Sequence, residues 1–143
     1  MNGITLEQAN TIVATALRHG RANHFKPLTV AVLDAGGHLV ALQREDASGI
    51  LRPQIALGKA WGPLGMGSGS RELARRAETH PSFVAALSDA SGGRVIPVPG
   101  GVLVRDAAGH IIGAVGVSGD QPPGDEACAV AGIEAAGLTA DAG

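Results

Sequence analysis

Two adjacent carboxylates, Asp125 and Glu126, follow a Gly/Pro loop and open an alanine-rich segment. Beside a glycine-lined cleft such a pair can hold a metal, a water or a substrate proton. Acids at a helix N-terminus also offset the macrodipole with no chemistry at all, so both roles stay open. Lys59 and Trp61 close another segment. The lysine can carry a cation towards an acidic ligand, and the single tryptophan offers a flat apolar wall with one donor. A core tryptophan beside an exposed lysine is the alternative. His24 has the side chain that most often ligates metals, and it suits a haem iron or a divalent ion. No HExxH or CxxC spacing accompanies it, so a structural zinc site is not indicated, and a surface or turn histidine is the competing role. Cys128 lies one turn beyond Asp125, where a helix N-terminus lowers a thiol pKa, whereas a buried cysteine is an inert small hydrophobe. Gly65-Met66-Gly67-Ser68-Gly69-Ser70 lacks the ending and the preceding strand of a phosphate loop and reads as a flexible linker.

These residues need a frame. Thr5-Leu6-Glu7-Gln8 has the form of a capping box, and Leu6, Ala9, Ile12, Val13, Ala16 and Leu17 recur at helical spacing. They predict a helix over 5–19 with Gly20 as its left-handed C-cap. Leu28 to Leu33 is apolar on both sides, a central strand covered on both faces. Asp34 to Gly37 turns the chain and His38 to Arg44 returns it. Ile50 to Trp61 predicts a second helix, with Pro53 tolerated in its first turn. Gly62 to Gly69 reads as a loop. Ser70 caps a short helix from Arg71 to Glu78, and Pro81 starts another from Ser82 to Ala90. Arg94 to Val98, flanked by Pro97 and Pro99, predicts an edge strand. Gly101 to Arg105 and His110 to Val117 form a second hairpin, and a last helix runs from Gly124 to Leu138. Val32–His38 and Val104–His110 share an Asp-Ala-x-Gly turn followed by histidine. Turn chemistry accounts for both, because aspartate bonds the backbone ahead and glycine supplies positive φ. The expected fold is α+β, a five-stranded antiparallel sheet flanked by helices in a single domain over 1–143.

Composition narrows the partners. A net charge of −2 gives no clustered basic surface for nucleic acid, and Arg71, Arg75 and Arg76 read as a solvated helix face. No segment reaches the ~20 apolar residues of a membrane span. The opening residues lack the basic and apolar regions of a signal peptide, and one cysteine suits a reducing compartment, so the expected location is the cytoplasm. The aromatics are Phe25, Trp61 and Phe83, with no tyrosine. A core of Ala, Val, Leu and Ile gains less per residue than an aromatic one, and oligomerisation is a common remedy.

Four stretches in this order resemble the GlcG/HbpS family of small haem-binding proteins, related to the C-terminal domain of PduO-type adenosyltransferases. They are Val30–Gly37, Ile55–Trp61, Pro99–Val102, and Gly113–Gly119 followed by Asp125-Glu126-x-Cys-Ala. These stretches lie between Val30 and Ala129, and the resemblance extends over nearly the whole chain, from about Thr5 to Leu138. The resemblance implies a profilin-like α-β-α fold, homo-oligomers, and binding of haem or a similarly flat ligand, with haem degradation described for some members. It places His24 in the segment where haem-binding relatives carry a histidine, implying His24 as the metal ligand. Trp61 and Lys59 would then sit near a propionate or the macrocycle edge. Gly100, Gly101, Asp125 and Glu126 match family positions directly, and Trp61 stands where a phenylalanine is usual. The competing expectation is a cofactor-free or metal-assisted enzyme acting on a small catabolic intermediate. In that reading Asp125 and Glu126 are general base or metal ligands, and Lys59 or Arg52 holds an anionic substrate. A non-catalytic accessory protein is the third.

Overall fold

The computed structural model describes residues 3–143. The first helix, α1 (Leu6–Ala22), begins at the expected capping box: Gln8 N–H donates to Thr5 Oγ1 at 3.0 Å and Thr5 N–H to Gln8 Oε1 at 2.9 Å. It runs past Gly20, which lies buried inside it. A Cβ there would sit 2.4 Å from Leu28 Cδ1, so the glycine serves packing and not termination. The left-handed residue that ends the helix is His24 (φ 58°), with Phe25 N–H donating back to Gly20 O and His24 N–H to Arg21 O. That is the Schellman arrangement, with a histidine where glycine is usual.

Strands β1 (Thr29–Asp34) and β2 (Leu39–Arg44) form the first hairpin, and β3 (Gly101–Arg105) and β4 (Ile111–Ser118) the second. In both turns the aspartate does the expected work: Asp34 Oδ1 accepts from Gly36 and His38 N–H, and Asp106 Oδ1 from Ala108 and His110 N–H. These bonds hold both carboxyls below the ordinary aspartate value. The sheet order is β2-β1-β4-β3-β5 with every pair antiparallel.

The fifth strand is not Arg94–Val98. Pro97 has no N–H for a ladder, and Val98 N–H donates instead to Ile96 O, two residues back. The segment covers a helix. The strand beside β3 is β5 (Thr139–Asp141), tied by the Arg105–Asp141 ion pair at 2.9 Å. The last helix, α5 (Pro122–Ala135), therefore stops three residues short of Leu138 to leave room for it.

Strand alternation divides the core. Val30, Val32, Val102, Val104, Val115 and Val117 face α1 and α5, while Leu33, Leu103 and Ala114 face the other layer. That layer is α2 (Arg52–Met66), followed by α3 (Ser70–Thr79) and α4 (Pro81–Ala90). The expected loop at 62–69 is mostly helix, because α2 continues through Pro63 to a left-handed C-cap at Gly67. Pro63 cannot donate to Lys59 O, four residues back. That carbonyl points at the sheet, where a Cβ on Gly101 would lie 1.7 Å from it. On the neighbouring strand, a Cβ on Gly116 would lie 1.9 Å from Ala56 O. Gly101 and Gly116 are register partners, so the pair forms a bare floor onto which α2 lies with its backbone. Ser70 does not cap α3: the cap is Gly69, and Ser70 Oγ instead accepts from Gly101 N–H and donates to Gly101 O.

Gly116→Ala is expected to lift α2 from the sheet and cost upwards of ~3 kcal/mol, at or beyond the usual range for overpacking. Gly3→Ala meets nothing within 4 Å and should be neutral. Urea denaturation of the two variants checks this, and similar midpoints would contradict it.

Candidate functional site

Four of the candidate positions, Lys59, Gly100, Gly101 and Asp125, meet in one place. Lys59 rises from α2 on one face of the sheet and Asp125 from α5 on the other. They join beyond the end of β4, Nζ to Oδ2 at 3.1 Å. Lys59 Nζ also donates to Val117 O at 3.0 Å, and Asp125 Oδ1 accepts from Asp120 N–H at 2.9 Å. Both side chains are closed off from water, at 3% and 1% exposure for the residues. Gly100 makes the lysine's path possible: its φ of 122° is left-handed, and a Cβ there would sit 2.9 Å from Lys59 Nζ. Burial pushes Lys59 below the ordinary lysine value and Asp125 above the ordinary aspartate value, while their mutual attraction opposes both shifts. Arg52, donating to Ser118 Oγ at 3.0 Å, adds a like charge that further disfavours the ammonium.

This geometry joins the two layers, and neither side chain lines any of the clefts described for the chain. Glu126, next in sequence, points elsewhere and forms a two-pronged ion pair with Arg71 of α3 at the surface. The two acids therefore have different partners and do not form a carboxylate dyad. Gly101 is the floor under α2, as described above. Cys128 is buried one turn further on, and burial together with Asp125 pushes its thiol up to about 12, so it stays protonated and inert.

Trp61 lies elsewhere in the α2 layer, just past the far end of β1. Its indole N–H edge lies against Gly37, where a Cβ would be 2.8 Å from Nε1. Arg94 stacks over the ring at 4.1 Å. The tryptophan is half-buried and lines a 380 Å³ cleft with Leu33, Leu39, Leu57 and Arg94.

His24 is at the opposite end. It precedes β1, whose six residues span roughly 20 Å at about 3.3 Å each, and it belongs to the α1 layer. The structure thus brings together Lys59, Gly100, Gly101 and Asp125, and separates His24 from Trp61. The imidazole of His24 is exposed and has no hydrogen-bond partner among the described residues. Beside it, Phe25 packs on Gly124 and meets His19 edge-on at 6.5 Å, and Lys26 is exposed. A 460 Å³ groove opens at the same turn, between Leu17, Arg21 and Pro27 on one side and the end of β2 on the other. Sequence reasoning missed Arg94 and Arg71 as partners, since neither position carries a local pattern. Among the described residues no three His, Cys, Asp or Glu side chains gather as a metal site, and no helix is long and apolar enough to cross a membrane.

The layers and strand order define an α+β domain of profilin-like type. The model of the haem-degrading HbpS-like proteins matches residues 4–134, and the chain belongs to that family. Among solved structures, the PduOC:haem complex superposes with a TM-score of 0.85 at 22% identity, covering 95% of this chain and 96% of that one. Klebsiella pneumoniae protein ORFY gives 0.84 at 27% identity over 94% of this chain and 90% of its own. HbpS gives 0.81 at 27% identity, with 94% and 90% covered. No curated protein sequence matches the chain.

If the Lys59–Asp125 pair is a strut, Lys59→Met and Asp125→Leu should each cost about 3–5 kcal/mol by leaving the other charge buried and alone. The double variant should cost less than the sum of the two, with a coupling of about 2–3 kcal/mol. Additive losses in denaturant titrations would show that the two charges do not depend on each other.

Proposed function

We propose that the chain binds haem, or a similarly flat ligand, with His24 as the iron ligand. Support comes from membership of the haem-degrading HbpS-like family and from a related fold solved as a haem complex. The observation that carries the residue assignment is the state of His24. A non-glycine residue sits at the left-handed position of a Schellman cap, with its ring exposed and unpartnered. Glycine would close the helix better, because a Cβ in this conformation costs roughly 1–2 kcal/mol. The exposed imidazole at this constrained backbone position is open to a ligand, and this supports the assignment.

The neighbouring residues fit the group. Haem needs an axial donor, apolar surface for the ring and cations for its propionates. His24, Phe25 and Lys26 offer one of each, while Arg21 in the adjacent groove is already paired with Glu45 at 3.0 Å, so Lys26 is the cation assigned to a propionate. Bound haem would contribute a redox-active iron, while the chain contributes the ligand, its orientation and the surrounding charge. Trp61 and Lys59, across the sheet, are assigned other roles. Lys59 and Asp125 serve as the strut, and neither acts as base or anchor. We further propose that the protein works as a homo-oligomer in the cytoplasm. Ile50 (90% exposed) and Leu51 form an apolar step at the start of α2 that a second copy would cover. Light scattering that returns the mass of a single chain would remove this part of the proposal.

His24→Gly separates ligand from fold. It should keep or raise the melting temperature while abolishing the Soret shift seen when the wild type is titrated with hemin. An unchanged Soret shift in a folded variant would exclude His24 as the iron ligand.

A further inference from the structure

The cleft at Trp61 is independent of the turn at His24. Its walls are Leu33, Leu39 and Leu57, with Gln54 as an uncharged polar side chain among them, and its far side is Arg94 on the Trp61 ring. Arg94 is fixed in place: its backbone N–H donates to Ser91 Oγ at 3.1 Å and its Nε–H to Ser91 O at 2.7 Å. Its guanidinium carbon lies over the indole, 4.1 Å from the ring centroid, a second contact that holds the group at the cleft. The two terminal nitrogens have no partner among the described residues, and no acidic side chain lines the cleft. Trp61 Nε1–H, beside Gly37, has no protein acceptor there either.

At the mouth, Gly92 (φ 70°) and Gly93 (φ 83°) turn the chain, and a Cβ on either would meet nothing within 4 Å. The entrance is bare backbone. A slot with leucine walls, an aromatic side and an unpaired, pre-oriented guanidinium matches one kind of small molecule. Its volume of 380 Å³ is at the lower end for small-molecule sites. We infer that the Trp61–Arg94 cleft binds a small, flat, mostly apolar monocarboxylic acid. The carboxylate takes the open fork of Arg94, as carboxylates do with guanidinium groups, and the apolar body lies between Trp61 and the leucines.

The chain's single tryptophan reports on this site directly. Benzoate and phenylacetate, titrated into the wild type, should change Trp61 fluorescence saturably. Benzamide, equal in shape but neutral, should bind at least about tenfold more weakly, the expected size for a lost hydrogen bond to a charged group. Arg94→Gln, checked for fold by circular dichroism, should weaken benzoate to the level of benzamide. Three results would overturn the assignment: no saturable change with either acid, equal affinity for benzoate and benzamide, or loss of benzoate binding after the wild type is saturated with hemin. The last would give the cleft to haem.

Discussion

Among the described residues, Lys59 and Asp125 are the two charged residues that are buried, and the rest of the molecule is arranged so that they can meet. One belongs to the helix on each face of the sheet, so their contact fixes the two layers against each other. Several neighbours are committed to it. Gly100 leaves space for the lysine stem, Val117 offers a carbonyl, and Asp120 lends an N–H. The lysine reaches this point because α2 lies flat on Gly101 and Gly116, with Pro63 releasing the Lys59 carbonyl towards that floor. A buried ion pair is weak evidence for stability, since removing two charges from water offsets much of their attraction. What the geometry shows is a directional tie between the two layers, which the apolar core of valine, leucine, isoleucine and alanine does not itself supply.

The same reasoning separates two kinds of position that look alike in a sequence. Lys59, Asp125, Gly100 and Gly101 are polar or small residues whose contacts in the structure tie one layer to another. His24 and Arg94 sit in unremarkable loop sequence, yet each presents a polar group without a partner among the described residues, His24 from a left-handed backbone position and Arg94 from a side chain held by Ser91 and Trp61.

Much of the fold was legible where the signal is local. The capping box at Thr5, the aspartate turns at Asp34 and Asp106, and the β-branched runs of β1, β3 and β4 depend on neighbours a few residues away. What depends on distant contacts was not legible. Thr139–Asp141 carries no apolar run and is a strand only because β3 has a free edge. Gly62 and Gly65 read as loop because glycine disfavours helices. Their real constraint is what lies against them: Leu73 and Val95 at Gly62, and the Trp61 ring at Gly65. The Lys59–Asp125 pair joins residues 66 apart in sequence, and Asp125 read as a helix-capping acid or a base because its partner was out of sight. His24 could be recognised as a turn residue. That it holds the left-handed seat of the cap depends on Gly20 being needed inside the helix.

The central claim is that ligand chemistry belongs to the turn at His24, while Lys59 and Asp125 only hold the layers. Backbone amide signals of the isotope-labelled protein, recorded with and without hemin, test it most directly. The paramagnetic iron should broaden His24, Phe25 and Lys26 most, reach Gly124 and Asp125 beside them, and leave Trp61 at the other end of the sheet sharp. Broadening centred on Lys59, Trp61 or Asp125, with His24 unaffected, would contradict the account.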